Sequence, residues 1–169
     1  MELKKQISDK TEQLLQERVK GELQSSHIYE AMANWCYCYG FYKASDKYRK
    51  YADEEKAHMR RLMSYIIDRN GISCVPIAIE EKCEYKSLLE VITKSYEHEV
   101  LVTAAYRKIA PVIRNEGDEV TYSELQWFIH EQIEEETKFG DLLILANRLG
   151  ITDETKGIEL FKLEDELAK

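Results

Sequence analysis

The sequence has little of what a β-sheet protein or a membrane protein requires. Its 169 residues include only two prolines and seven glycines, which are too few turn-forming residues for an all-β chain of this length. No stretch approaches the roughly 20 apolar residues that a membrane helix requires, and the opening segment MELKKQISDK lacks the apolar core of a secretory signal. We therefore expect a cytoplasmic, helical protein that does not associate with membranes.

The charge balance and the cysteines exclude further classes. With 24 basic and 32 acidic residues the net charge is −8, which argues against nucleic acid as a partner and suits the attraction of cations. The four cysteines form neither a CxxC pair nor a zinc-type spacing, so reduced thiols are the simplest interpretation. The length suits a single domain, which we expect to span residues 1–169.

Turn-forming residues divide the sequence into helical segments, with breaks near Gly40, Gly71, Gly117 and Gly150. The predicted helices are A at about 8–39, B at about 45–69, C at about 87–114, D at about 119–149, and a short fifth helix near 153–166. Thr152 is expected to begin the fifth helix, and Ser87 with Glu90 forms a capping-box signature at the start of C. Pro111 is expected to kink C or to end it early, because proline lacks an N–H.

The connections between these helices predict their arrangement. The A–B and C–D connections are short, so each pair is expected to form an antiparallel hairpin. The B–C connection, at about 72–86, is long enough to run back along helices of about 40 Å, at 1.5 Å per residue. We therefore predict an all-α, up–down–down–up four-helix bundle with a long B–C crossover and a short fifth helix at the C-terminus.

Each long helix carries an apolar stripe at helical spacing, and polar residues interrupt each stripe near its middle. Burying an unpaired carboxylate costs several kcal/mol, and clustering like charges costs more. Protonation or bound cations would relieve that cost, and carboxylates with one imidazole suit Fe, Mn or Zn. For any one glutamate a solvated helix face is the commoner explanation, but matching depth on four helices favours a site for two metal ions. The interrupting residues are Glu22, Glu55, His58, Glu99, Gln132 and Glu135.

The two hairpins also repeat each other. In each one, a glutamate of the first helix is followed seven residues later by a tyrosine and 33 residues later by a polar residue of the second helix. A repeat of this kind predicts two half-sites related by an approximate two-fold axis. The equivalent positions are Glu22 and Glu99, Tyr29 and Tyr106, and Glu55 and Gln132.

Four stretches of the chain resemble the non-haem ferritins of bacteria, and the likeness extends over essentially the whole length. They read GELQSSHIYEAMANWC, ADEEKAHMRRL, YEHEV and LQWFIHEQIEEETKF. The resemblance implies a ferritin-like bundle with a ferroxidase centre, and di-iron sites built from facing helices are known for this fold. One iron would be bound by Glu22, Glu55 and His58; the second by Glu55 as the bridge, Glu99 and Glu135, with Gln132 nearby and Tyr29 as a hydrogen-bonding, redox-active neighbour.

The resemblance also implies a third iron position and argues against haem. The third iron would be bound by Glu54, Glu131 and Glu134, with Glu135 shared between the sites. In bacterioferritins a haem-binding methionine directly follows the bridging glutamate, whereas this chain has Lys56 there. We therefore expect iron without haem.

The function implied by this resemblance is iron storage with ferroxidase activity. Fe(II) would be oxidised to Fe(III) by O₂ or H₂O₂ and stored as a ferric mineral inside a homo-oligomeric cage of about 24 copies. Two alternatives remain open: a non-storage di-iron oxidase or peroxide-scavenging enzyme on the same fold, and a structural bundle that binds no metal. Iron content and particle mass would distinguish them.

Overall fold

The part of the chain that the structure describes forms five helices. The computed structural model describes residues 3–77, 79–81 and 83–169, and these ranges contain no strand and no helix with the length and apolarity needed to cross a membrane. The all-α prediction is therefore confirmed, and the four long helices lie within three residues of their predicted bounds. The helices are α1 (Asp9–Cys38), α2 (Tyr42–Asp68), α3 (Leu88–Asn115), α4 (Glu119–Arg148) and α5 (Ile158–Leu167).

Side-chain contacts show how the helices run. Within each hairpin, α1 packs along α2 and α3 packs along α4. Between the hairpins, Thr11 near the start of α1 donates a hydrogen bond to Glu116 just after α3, at 3.0 Å, whereas Tyr29 in the second half of α1 donates to Glu99. α1 and α3 are therefore antiparallel, and this confirms the predicted up–down–down–up order.

Among the described residues, the core consists of two apolar clusters separated by a polar layer. One cluster joins the second half of α1 and of α4 to the first half of α2 and of α3. The other joins the remaining halves of the same four helices. The polar layer between them contains Glu22, Glu55, Glu99, Gln132 and Glu135, each of which is at most 6% exposed.

The start of α2 is stabilised by a residue from α5. Phe41 precedes α2 and offers no side-chain hydrogen bond. The buried carboxylate of Glu164 instead accepts hydrogen bonds from the backbone N–H groups of Lys43, at 2.9 Å, and Ala44, at 3.2 Å. A carboxylate at a helix N-terminus satisfies free N–H groups and interacts favourably with the helix dipole. This contact explains why α2 begins three residues before the predicted position.

We expect Glu164→Ala to lower the free energy of unfolding by about 1–2 kcal/mol, because it leaves two backbone donors of α2 without their acceptor. Asp165→Ala is a matched control: Asp165 pairs with the Lys43 ammonium at 2.6 Å on the surface, where ion pairs contribute only about 0–1 kcal/mol. Chemical denaturation followed by circular dichroism measures both losses. Equal losses in the two variants would contradict the capping role.

The fifth helix begins later than predicted. Thr152 does not start a helix but a turn, in which its N–H donates to the hydroxyl of Thr155 at 2.8 Å and its carbonyl accepts from the Thr155 N–H at 3.1 Å. Gly157 follows with a φ of 118°, a conformation that residues with a Cβ rarely adopt. A helix cannot run through this residue, so α5 begins after it, at Ile158, and the predicted start near 153 was wrong.

Pro111 does not end α3 early. The helix continues to Asn115, and Pro111 lies in its last turns on the exposed side. Ile109 and Ile113, on either side of it in sequence, are buried in the core. Proline removes one hydrogen bond to the carbonyl of Arg107, but on a solvent-facing side water can replace that bond, so core packing keeps the last turn helical.

Candidate metal centre

Glu22, Glu55 and His58 form a compact group of ligating atoms. One oxygen from each carboxylate and one imidazole nitrogen all lie within 4.8 Å of one another. His58 Nδ1 lies 3.4 Å from Glu55 Oε2 and 3.8 Å from Glu22 Oε2. No other set of three His, Cys, Asp or Glu side chains in the described part of the chain meets this spacing. These donors suit a cation such as Fe, Mn or Zn.

Aromatic packing fixes the orientation of the imidazole. Glu55 and His58 are three residues apart, so they share one face of α2. The His58 ring meets Trp127 and Phe128 of α4 edge-on, with centroid distances of 5.5 and 6.0 Å. The guanidinium of Arg61 in turn lies over the Trp127 ring, 3.7 Å from its centroid. The His58 ring is thereby held with Nδ1 beside the two carboxylates.

Two tyrosines connect the hairpins across the polar layer. Tyr29 of α1 donates its hydroxyl hydrogen bond to Glu99 of α3, and Tyr106 of α3 donates to Glu22 of α1 at 2.6 Å. Each tyrosine therefore orients the carboxylate that belongs to the other hairpin. The sequence repeat placed Tyr106 opposite Tyr29, but it was not predicted to be a site residue.

Two further residues of the site did not follow from the stripe pattern. The hydroxyl of Thr103 donates to the Gln132 amide oxygen at 3.2 Å, and the ammonium of Lys138 donates to Glu135 at 3.0 Å. Helical spacing was the available signal for Lys138, since it lies three residues after Glu135. A lysine beside an apolar stripe usually belongs to the surface, so the pattern alone did not single it out.

Burial raises the pKa of three carboxyl groups in the polar layer. Burial, followed by the charge of Glu55, raises the pKa of Glu22 to about 8. Burial and then the charge of Glu99 raise the pKa of Glu55, and burial raises the pKa of Glu99 despite the hydrogen bond from Tyr29. One oxygen of each of these three carboxylates has no hydrogen-bond partner among the described residues. Cations could replace protons at these oxygens.

Of the residues predicted for a third iron, Glu135 lies in the buried layer and the other three lie outside it. Glu54 and Glu134 are exposed, and Glu131 is half-buried. The charge of Glu54 acts on both Glu55 and Lys138, and the charge of Glu134 also acts on Lys138. Glu54 and Glu134 therefore border the layer, while the third iron position itself stays a prediction.

His98 supports the layer from behind Tyr29. Its Nε2 lies 2.8 Å from the Ser25 hydroxyl, and its ring meets the Tyr29 ring edge-on at 5.9 Å. Burial lowers the pKa of His98 to about 4, so the ring is neutral at pH 7. It supports the orientation of Tyr29 without adding a charge to the carboxylates.

The sequence of this chain is similar to a known protein family and to individual members of it. The model of the ferritin-like domain matches residues 12–149. A probable bacterial non-heme ferritin-like protein of Haemophilus influenzae is 34% identical over 154 residues, which cover 91% of this chain and 92% of that protein. A bacterial non-heme ferritin of Escherichia coli O6:H1 is 35% identical over 139 residues, covering 80% and 84%.

Solved structures agree with the sequence relatives. An open pore ferritin from the hyperthermophilic archaeon Archaeoglobus fulgidus superimposes with a TM-score of 0.90 at 29% identity, and the match covers 98% of each chain. The resemblance and the fold class predicted from sequence are both confirmed by these matches. The family model and the relatives therefore show that this chain belongs to the ferritin family, and the superposition agrees with its fold.

Proposed function

We propose that this chain oxidises Fe(II) to Fe(III) at the buried polar layer and stores the product as a ferric mineral inside a homo-oligomeric cage. The observation that carries the proposal is a set of three buried carboxylate oxygens, on Glu22, Glu55 and Glu99, that have no hydrogen-bond partner in the part of the chain that the structure describes. Such oxygens are costly in a protein interior unless cations or protons neutralise them. An iron substrate supplies that neutralisation.

The carboxylate positions suit two iron ions that share Glu55. The first would bind Glu22, Glu55 and His58, whose ligating atoms lie within 4.8 Å of one another. The second would bind Glu55, Glu99 and Glu135, because the charges of both Glu99 and Glu135 act on Glu55. The amide of Gln132 lies in the same layer and would border the second ion.

Either O₂ or H₂O₂ can accept the two electrons that the iron ions lose. Two Fe(II) ions each lose one electron, and O₂ takes up both electrons with two protons to give H₂O₂; H₂O₂ in the same role takes up two electrons and two protons to give two waters. Holding both ions in one layer allows a joint two-electron step, and hard carboxylate oxygens favour Fe(III). The chain's own part is to bind both ions, to release carboxyl protons as they bind, and to orient Glu99 and Glu22 through Tyr29 and Tyr106.

The test of this function combines iron loading with particle mass. Protein mixed with excess Fe(II) in air should develop ferric absorbance, and gel filtration should recover many more than three irons per chain with the protein. Retention of only two or three irons would instead support a non-storage di-iron oxidase or a peroxide-scavenging enzyme. A chain that binds no iron would contradict the proposal altogether.

Storage requires an assembly, because the bundle itself encloses no space for a mineral. We expect a closed particle of about 24 chains, which at 19.9 kDa each corresponds to about 480 kDa, since soluble homo-oligomers usually close on themselves. Multi-angle light scattering at neutral pH measures this mass. A monomer or a simple dimer would contradict the storage function.

The third iron position gives a separate expectation. Replacing Glu131 and Glu134 together by glutamine should change the ratio of Fe(II) oxidised to O₂ consumed. Only the two iron ions in the buried layer would then supply electrons to O₂. Oxygen-electrode measurements give the ratio, and Glu136→Gln on the same helix is the control. An unchanged ratio in the double variant would mean that no third iron takes part.

A further inference from the structure

Lys138 occupies an unusual place at the edge of the polar layer. Its ammonium lies 3.0 Å from Glu135 Oε1, one helical turn away on α4. The Lys138 side chain is 45% exposed, whereas the Glu135 side chain is only 8% exposed. The pair therefore joins a buried carboxylate of the site to a cation that reaches solvent.

Further carboxylates surround the same ammonium. Partial burial lowers the pKa of Lys138, but the charge and hydrogen bond of Glu135 and the charges of Glu54 and Glu134 outweigh it and leave the pKa raised. Glu131, Glu134 and Lys138 follow one another at spacings of three and four residues, so they share one face of α4. The ammonium thus lies among the carboxylates at which iron would have to bind on this side of the site.

A cavity of about 450 Å³ opens beside Lys138 at the corner between α2, α4 and α5. Lys138, Lys47 and Tyr51 contribute to its lining. The Tyr51 ring packs against Tyr29 at 5.7 Å and against Phe139 at 5.4 Å, and Tyr29 donates to Glu99. Lys138 and Tyr51 therefore lie between this cavity and the buried carboxylates.

We propose that Lys138 is a tethered cation that holds the place of an iron ion beside Glu135, so that this side of the site fills last and empties first. The proposal rests on the proposed function, since it concerns the same carboxylates. An incoming Fe(II) ion must displace the ammonium from Glu135 Oε1, and the attached ammonium then competes for that oxygen throughout the lifetime of the bound ion. The group of Glu22, Glu55 and His58 has no lysine contact of this kind among the described residues, so it fills first.

The test is calorimetric titration of the assembled protein with Fe(II) under strict exclusion of oxidants. Wild-type protein should show one tight Fe(II) per chain and weaker later ones. Lys138→Met removes the charge and keeps the length of the side chain, so the weaker ions should bind about tenfold more tightly, a change of about 1.4 kcal/mol, while the tight one is unchanged. Lys138→Arg, which keeps the charge, should resemble the wild type.

Lys47→Met is the matched control, because Lys47 lines the same cavity and lies over the Tyr51 ring at 5.3 Å without contacting Glu135. It removes the same unit charge, so a gain equal to that of Lys138→Met would show a general charge effect and overturn the proposal. Unchanged weaker affinities in both Lys138→Met and Lys138→Gln would overturn it as well. If the titration showed no tight Fe(II) site in wild-type protein, that result would contradict the proposed function itself.

Discussion

Glu55→Ala is expected to lower the initial rate of Fe(II) oxidation by about 100-fold or more, a loss at least as large as that caused by removing residues that merely support metal ligands. Glu55 is the carboxylate that faces both halves of the layer. It lies beside His58, and the charges of Glu99 and Glu135 raise its pKa. Its loss therefore affects both ions, and His58→Ala should have a similar effect through the first ion. Stopped-flow absorbance of the ferric product measures the rate.

The particle should remain assembled in these variants, because Glu55 and His58 interrupt apolar stripes and packing does not depend on them. Asp53→Ala is the matched control: Asp53 is an exposed carboxylate on the same helix, 3.6 Å from the ammonium of Lys56, and its loss should leave the rate unchanged. Oxidation at the wild-type rate by Glu55→Ala in an intact particle would show that the assignment of the bridging ligand is wrong.

The metal-free protein is expected to lose stability as the pH rises from about 6.5 to about 8. The pKa of Glu22 is raised from 4.5 to about 8 in the folded protein. The contribution of Glu22 to the free energy of unfolding is therefore fully present below its unfolded pKa of 4.5. It is lost as the pH rises through its folded pKa of about 8. With Glu55 shifted in the same direction, we expect a loss of about 2–3 kcal/mol. Denaturant unfolding of chelator-treated protein measures it.

The range from pH 6.5 to 8 is chosen because His98 has the opposite effect on stability below that range. Its pKa is lowered from 6.5 to about 4, so its contribution is present above pH 6.5 and is lost only as the pH falls toward 4. Added Zn²⁺ should abolish the decline above pH 6.5, since a cation takes the place of the carboxyl protons. The Glu22→Gln variant should show a smaller decline without metal. A stability that is constant or rising over this window in metal-free wild-type protein would contradict the prediction.

Local sequence signals predicted most of the fold because they act over short distances. At the start of α3 the Ser87 hydroxyl accepts from the Glu90 N–H at 3.0 Å, as the capping signature predicted, although the Glu90 carboxylate accepts from Lys86 and not from Ser87. The start of α2 could not be predicted in this way. Its acceptor, Glu164, is 121 residues away in sequence from Lys43, and only the folded chain brings them together.

The same distinction applies to the candidate site. Glu22, Glu55 and Glu99 stand out in the sequence because a carboxylate on an apolar stripe contradicts the periodicity around it. Tyr106 and Lys138 do not stand out, because a tyrosine on a stripe packs as well as any aromatic residue and a lysine beside a stripe normally reaches solvent. Their roles depend on which carboxylate each one meets, and that is decided by the pairing of helices and not by spacing along one of them.

The crossed tyrosines mean that neither hairpin is complete by itself. A fragment that ends in the B–C connection would contain Glu22 but not Tyr106, and the second fragment would contain Glu99 but not Tyr29, so each would expose a carboxylate whose hydroxyl donor is on the other piece. Because Tyr29 and Tyr106 occupy equivalent positions in the repeat, two copies of a single hairpin could supply these donors to each other about a two-fold axis. The bundle therefore resembles a dimer of two similar hairpins that the long connection joins into one chain.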